Sequence, residues 1–166
     1  MTSRDDMGSW LEGAPTTAAG ARGARLGLPP EGPGSLARPG RRLVALAVDW
    51  VVCLAISAAF FPVQGSGFFL TQGAPTATLA IFAAENVLLV GTAGFTLGHR
   101  LLGLRVRRAA VVPPGASPLV DTGRAPGLVS GLVRGLLLCL VIPAVVWDGD
   151  GRGLHDRAAG TAIVRR

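Results

Sequence analysis

A chain of 166 residues is long enough for one soluble domain, yet 49% of its residues are hydrophobic and only 16% charged, a balance that argues against an ordinary soluble domain. The net charge of +6 rests on 16 Arg without a single Lys, the mark of GC-rich coding rather than of nucleic-acid binding, and no zinc-finger spacing, recognition helix or aromatic-interleaved basic strand accompanies it. Cys53 and Cys139 both lie inside apolar stretches, where cysteine serves as a small packing residue, so no disulfide, metal site or redox role is read from them.

Residues 1–39 are rich in Gly, Pro, Ala, Ser and Thr and lack apolar periodicity, which predicts a disordered cytoplasmic tail ahead of a membrane domain over residues 40–166. Three apolar blocks follow: Leu43–Val63, Ala77–Phe95 and Leu128–Trp147. Each is close to the ~20 residues that an α-helix needs to cross a bilayer, so helices are expected at about 43–63, 77–96 and 127–147. The first follows some forty polar residues and is too long to be a cleaved secretory signal, so it stays as a helix.

Charge orients these blocks. The tail to Arg42 holds six Arg, and the connector Gly98–Pro126 holds five Arg against one Asp, whereas Gln64–Thr76 holds no charge at all. Positive segments stay on the cytoplasmic side, which puts the N-terminus and the 98–126 connector inside and the uncharged loop, broken by Gly65, Gly67, Gly73 and Pro75, outside. The third block conflicts with a plain crossing. Arg134 interrupts it, Pro143 lies near its end, and the tail after it carries Arg152, Arg157, Arg165 and Arg166. A broken or re-entrant helix returning to the cytoplasm accommodates both the charges and the short apolar run; a full third span with the tail outside is the alternative.

Within the blocks, Asp49 is the most informative residue, because a carboxylate seven residues into an apolar span costs several kcal/mol unless it finds a partner or water. Arg42, Asp49, Cys53 and Ser57 share one helix face, so this side of the first helix turns inward. Arg134 sits at a matching depth of about 10 Å, which makes an Asp49–Arg134 pair the leading expectation, either as a register-fixing ion pair or as a cation or proton site. Glu85, with Asn86 beside it, could line the same polar interior, or sit near enough to the interface to stay hydrated. Gly127, Gly131 and Gly135 recur every four residues and predict a face for close helix packing, with Ser130 nearby. Asp148 and Asp150 open a calcium-loop-like run, but Arg152 and Ala159 occupy ligand positions and a polar turn is expected instead. His99 and His155 lack metal-ligand spacing and come without a nucleophile, and no phosphate-cradling Gly-Lys motif occurs.

Three segments resemble the RDD family of bacterial membrane proteins. Arg42-Leu-Val-Ala-Leu-Ala-Val-Asp49 is similar to the family's opening helix. Thr96-Leu-Gly-His-Arg-Leu-Leu-Gly-Leu-Arg-Val106 is similar to its segment after the second helix, and Gly153-Leu-His-Asp-Arg-Ala-Ala-Gly-Thr161 to its closing motif. Together they cover roughly residues 40–166 in the family's order. Leu97 stands where the family has proline, His99 where it has lysine, and Trp50 where many members carry a second aspartate. The resemblance carries Arg42, Asp49, Arg134 and Asp156 over as signature residues.

What the resemblance implies is an all-α plasma-membrane protein of a bacterium: two transmembrane helices and a third broken or re-entrant one, the N-terminus cytoplasmic. It supports a short cytoplasmic β-pairing between Leu101–Arg107 and Thr161–Arg165, both β-permissive. It implies no catalytic chemistry and no cofactor, and the residues show no nucleophile, base and orienter set, so no enzyme is expected. Two functions remain: transport of ions or small solutes along Asp49, Arg134 and Glu85, or an accessory subunit whose glycine face docks on a larger membrane partner. The expected partners are the lipid bilayer and either further copies of the chain or that larger partner, with no nucleic acid.

Overall fold

The computed structural model describes residues 23, 26–63, 67–109, 124–140 and 152–166. The first helix, α1, spans Pro39–Phe60. It begins four residues before the apolar block because Pro39, with its preset φ and missing N–H, suits the first turn, where an amide would have no helical partner. Arg42, Ala45, Asp49, Cys53 and Ser57 are buried along one face, as their spacing predicts. The opposite side exposes Leu43, Val44, Trp50, Val51, Ile56 and Phe60. Such a helix is polar toward its neighbours and apolar outward, the reverse of a soluble amphipathic helix.

A tight connection follows. Val63 N–H donates to the Gln72 carbonyl at 2.7 Å and Ala74 N–H to Phe61 at 3.0 Å, while Gly73 lies against Ser57 so closely that a Cβ would stand 2.6 Å from its hydroxyl. The chain then runs back as α2, Pro75–Ala93, with a π-helical stretch at Asn86–Val90. Trp50 of α1 meets Phe82 of α2 edge to face at 5.4 Å. Both α1 and α2 are long and apolar enough to cross a membrane. Gly94, at φ 78°, ends α2 in the left-handed conformation that glycine adopts without strain.

Beyond that turn come a short helix, α3 (Leu97–Leu101), and strand β1 (Leu104–Arg108). The third apolar block forms α4, Leu128–Cys139, which is about 18 Å long at 1.5 Å per residue and so falls short of a ~30 Å hydrocarbon core. The expectation of one helix over 127–147 is corrected to this extent; Pro143, Asp148, Asp150 and the proposed return of the chain lie outside the described residues. After α4, a five-residue helix, α5 (Leu154–Ala158), leads into β2 (Thr161–Arg165).

Antiparallel pairing of β1 with β2 sets Leu104 opposite Arg165 and Arg108 opposite Thr161. The second strand is the expected segment, whereas the first begins three residues later and ends one residue later than the expected Leu101–Arg107, and the pairing brings the end of the chain to the end of the hairpin where α2 finishes and α1 begins. The sheet is held from the other edge as well. Ala37 N–H donates to Ile163 at 2.8 Å, Gly34 N–H to Arg165 at 2.9 Å, and Leu36 bridges Val164. Ala37, Ala45, Val90, Leu104, Val106 and Ile163 form one buried cluster between sheet and helices, and Leu26, Leu36 and Ala162 form another. The expectation of disorder to residue 39 is therefore corrected for residues 26–38, because a few apolar side chains in a Gly/Pro-rich stretch suffice when a strand edge is available to take up the backbone's hydrogen bonds. Residues 1–22, 24 and 25 of that tail lie outside the described residues.

The glycine face packs inside the chain. A Cβ at Gly131 would lie 2.8 Å from the Val87 carbonyl, and one at Gly135 3.3 Å from Asn86 Cβ, so α4 sits almost backbone to backbone on the π-helical part of α2. Gly127 precedes the helix at φ 95° and donates its N–H to the Gly91 carbonyl at 3.1 Å.

Candidate functional site

Two clusters of buried polar groups meet where α1, α2 and α4 come together. The first centres on Asp49, which is 2% exposed. Its Oδ2 accepts from the Thr96 hydroxyl at 2.6 Å and its Oδ1 from Gly98 N–H at 2.6 Å. Asp49 thus supplies α3 with the carboxylate that its free amides require. Thr96 is the N-cap of that helix and, with His99 three residues on, forms a reciprocal capping box in which Thr96 N–H donates to His99 Nδ1 and His99 N–H donates to Thr96 Oγ1. This helix can come so close because residue 98 is glycine: a Cβ there would run into the Ala45 carbonyl and stand 2.9 Å from Asp49 Oδ1.

Glu85 of α2 completes the cluster. Its Oε2 accepts from Cys53 Sγ at 3.4 Å, and its Oε1 accepts from Leu97 N–H at 3.3 Å, the amide next to the one that Asp49 holds. That last bond exists because Leu97 occupies a position where the family resemblance leads one to expect proline, which has no N–H to give.

The second cluster is ionic. Asp156, fully buried, receives Arg134 in a close ion pair and Arg42 at 3.6 Å, with His155 Nε2 at 3.5 Å and the Thr161 hydroxyl at 3.4 Å. Arg42 also donates to the Ile163 carbonyl at 3.4 Å. The expected Asp49–Arg134 pair is therefore corrected: Arg134 is partnered by an acid delivered from the end of the chain, and Asp49 by the start of α3. Between the clusters lies a cavity of about 30 Å³, lined among others by Arg42, Asp49, Asn86, His99, Arg134 and His155. It is large enough for water.

All four signature residues, Arg42, Asp49, Arg134 and Asp156, thus gather within this region, and Glu85 joins them, whereas the three glycines serve packing. Sequence reasoning missed Thr96, Gly98 and His99 as parts of the site. The signal was present, since a Thr three residues ahead of a side chain able to reach back is a helix-start pattern.

Burial, then the charges of Arg134 and Arg42 and the neighbouring His155, hold His99 well below the usual imidazole range. In the unfolded chain the ring gains a proton as pH falls through its ordinary value near 6.5, and in the folded chain it does not. Stability should therefore decline below that pH, by up to about 1.4 kcal/mol per unit. Thermal unfolding in detergent between pH 7.5 and 5 should show this slope, and His99→Gln should flatten it; an unchanged slope in the variant assigns it to other groups.

Compared with known families, the chain matches the model of the RDD family over residues 36–160, three quarters of its length. No curated protein and no solved structure matches it at a significant level.

Proposed function

Because the chain belongs to the RDD family, we propose that it is a multi-pass protein of the bacterial plasma membrane that moves an ion or small solute by way of the Asp49–Glu85 centre. In this reading α1 and α2 span the bilayer, the Arg-rich N-terminal and 98–126 segments lie in the cytoplasm, and α4 enters from that side and turns back. The β1–β2 pairing supports the last point, since it needs the C-terminal strand on the same side as the segment after α2. The outward apolar side chains of α1, together with Leu79, Leu88, Leu132 and Leu136, supply the lipid-facing surface. Two spans enclose little space, so several copies would assemble around the path.

One observation carries the transport reading. Capping α3 takes one acid, and Asp49 provides it with near-ideal geometry. Glu85 brings a second carboxyl to the same helix start, and although it accepts from Leu97 N–H and Cys53, two acids within a span cost more in desolvation and repulsion than a five-residue helix needs for its cap. The accessory reading relied on a free glycine face, and that face is already occupied by α2.

Proteoliposomes on a solid-supported membrane, given steps of pH, NaCl and KCl, should produce current in at least one step. Asp49→Asn, which keeps an oxygen to cap α3, should cut that current about tenfold or more, the factor that about 1.4 kcal/mol of barrier represents, with insertion and yield unchanged. Equal currents in the two proteins overturn the reading, and so does silence of the folded wild type in every step.

A further inference from the structure

We propose that the species reaching the cytoplasmic end of this site is a proton, relayed from the Asp49–Glu85 pair through the Thr96 hydroxyl to His99 and out through the water-sized cavity. The inference rests on the transport reading and specifies its substrate and exit. Asp49 and Glu85 accept from successive amides of α3, those of Gly98 and Leu97, so the two acids stand together and favour one shared proton over two negative charges. Asp49 Oδ2 lies 2.6 Å from Thr96 Oγ1, and the same oxygen lies 2.7 Å from His99 Nδ1. The hydroxyl both donates and accepts, and here it stands between an acid and a base.

The transfer balances as follows. With Asp49 ionised, Thr96 donates its hydroxyl hydrogen to the carboxylate, and Nδ1 accepts from Thr96 N–H, which leaves the ring hydrogen on Nε2. When the shared proton moves onto Asp49 Oδ2, the Thr96 hydroxyl turns its hydrogen to Nδ1; the O–H bond of Asp49 then breaks toward Thr96 Oγ1 as the hydroxyl's own O–H bond breaks toward Nδ1. The imidazolium so formed turns about its side-chain torsions to present Nδ1–H to the cavity, which His99 lines with His155, gives that proton to water there, and turns back. The ring is then neutral with its hydrogen on Nε2 as at the start, and the Thr96 hydroxyl again donates to Asp49, so the chain is ready for the next proton. No electrons are transferred and no bond other than O–H and N–H changes.

The surroundings favour release over storage at His99. Arg134 and Arg42 act on the ring from α4 and α1, and His155 from α5, all disfavouring a lasting positive charge there. Around Asp49 stand Glu85 from α2, Cys53 from its own helix, Thr96 and Gly98 at α3, and Arg134 from α4. Asp156 is engaged by Arg42 and Arg134 and makes no hydrogen bond to the relay among the described residues.

The test uses the full chain in liposomes loaded with a pH-sensitive dye, with a potassium diffusion potential set by valinomycin. Thr96→Val removes the hydroxyl and Thr96→Ser restores it; His99→Gln keeps a carbonyl oxygen able to accept from Thr96 N–H but cannot pass a proton on. The relay predicts proton flux in the wild type and the serine variant, slower in D₂O, and a loss of about tenfold or more in the valine and glutamine variants, toward the lower range of what a positioned proton donor contributes. A glutamine variant that folds and conducts like wild type overturns the relay even if the valine variant fails to fold. Loss of flux in Asp49→Asn with flux kept in both relay variants rejects the relay and leaves the transport reading standing; unaltered flux and currents in Asp49→Asn reject both.

Discussion

Asp156→Ala should be the most destabilising single change in the buried ionic cluster, costing about 3–5 kcal/mol, because it leaves two guanidinium groups buried without the carboxylate they share. Arg134 is 2% and Arg42 9% exposed, so neither relaxes into water without opening the bundle. The loss also reaches the sheet: Asp156 holds α5, α5 leads into β2, and β2 carries both β1 and the segment around Leu36. Size-exclusion profiles and melting curves in detergent should show a much lower yield of monodisperse protein and a lower melting temperature. The double variant Arg134→Met with Asp156→Leu should recover part of the loss, since replacing a buried pair by apolar groups of similar size removes the unpaired charge. A single variant that melts with the wild type would show that the pair holds nothing.

Gly98→Val should have the second largest effect, about 3 kcal/mol or more, summed from backbone overlap and the loss of a hydrogen bond to a charged acceptor. A Cβ at residue 98 meets the Ala45 carbonyl, which is backbone and cannot swing aside, and stands 2.9 Å from Asp49 Oδ1. To make room, α3 has to move off α1, and the 2.6 Å bond from Gly98 N–H to Asp49 is lost with it. Melting in detergent reads the effect, and Leu101→Ala, on the exposed side of the same helix, should leave the curve unchanged. Equal melting temperatures for the two variants would place the close approach of α3 and α1 outside the determinants of stability.

Much of the architecture was legible because it depends on local pattern. Segregated apolar blocks announced α1 and α2, and the steps from Arg42 through Asp49 and Cys53 to Ser57 identified the inward face of α1. The four-residue glycine repeat announced a close helix contact, which Gly131 and Gly135 make with α2. What was misread depends on partners far away in sequence. Leu26, Leu36 and Ala37 look like any small apolar residues in a flexible stretch, and only the edge of β2, more than a hundred residues on, gives them a place. His99 read as a stray histidine, because nothing in its neighbours revealed that α3 would turn it inward against two arginines.

The amino-acid order by itself determined that two long apolar helices form, which side of the first is polar, and that acids and arginines collect at one depth, since periodicity and charge count act over a few turns. It left open which charge meets which. Asp49 and Arg134 are interchangeable with other partners when only depth is counted. The tertiary structure decided the matter by bringing the Gly98 amide of α3 within 2.6 Å of one carboxylate and delivering Asp156 to the arginines. Hydrogen bonds and ion pairs in a low-dielectric interior select by fractions of an ångström, a scale that no spacing along the chain encodes.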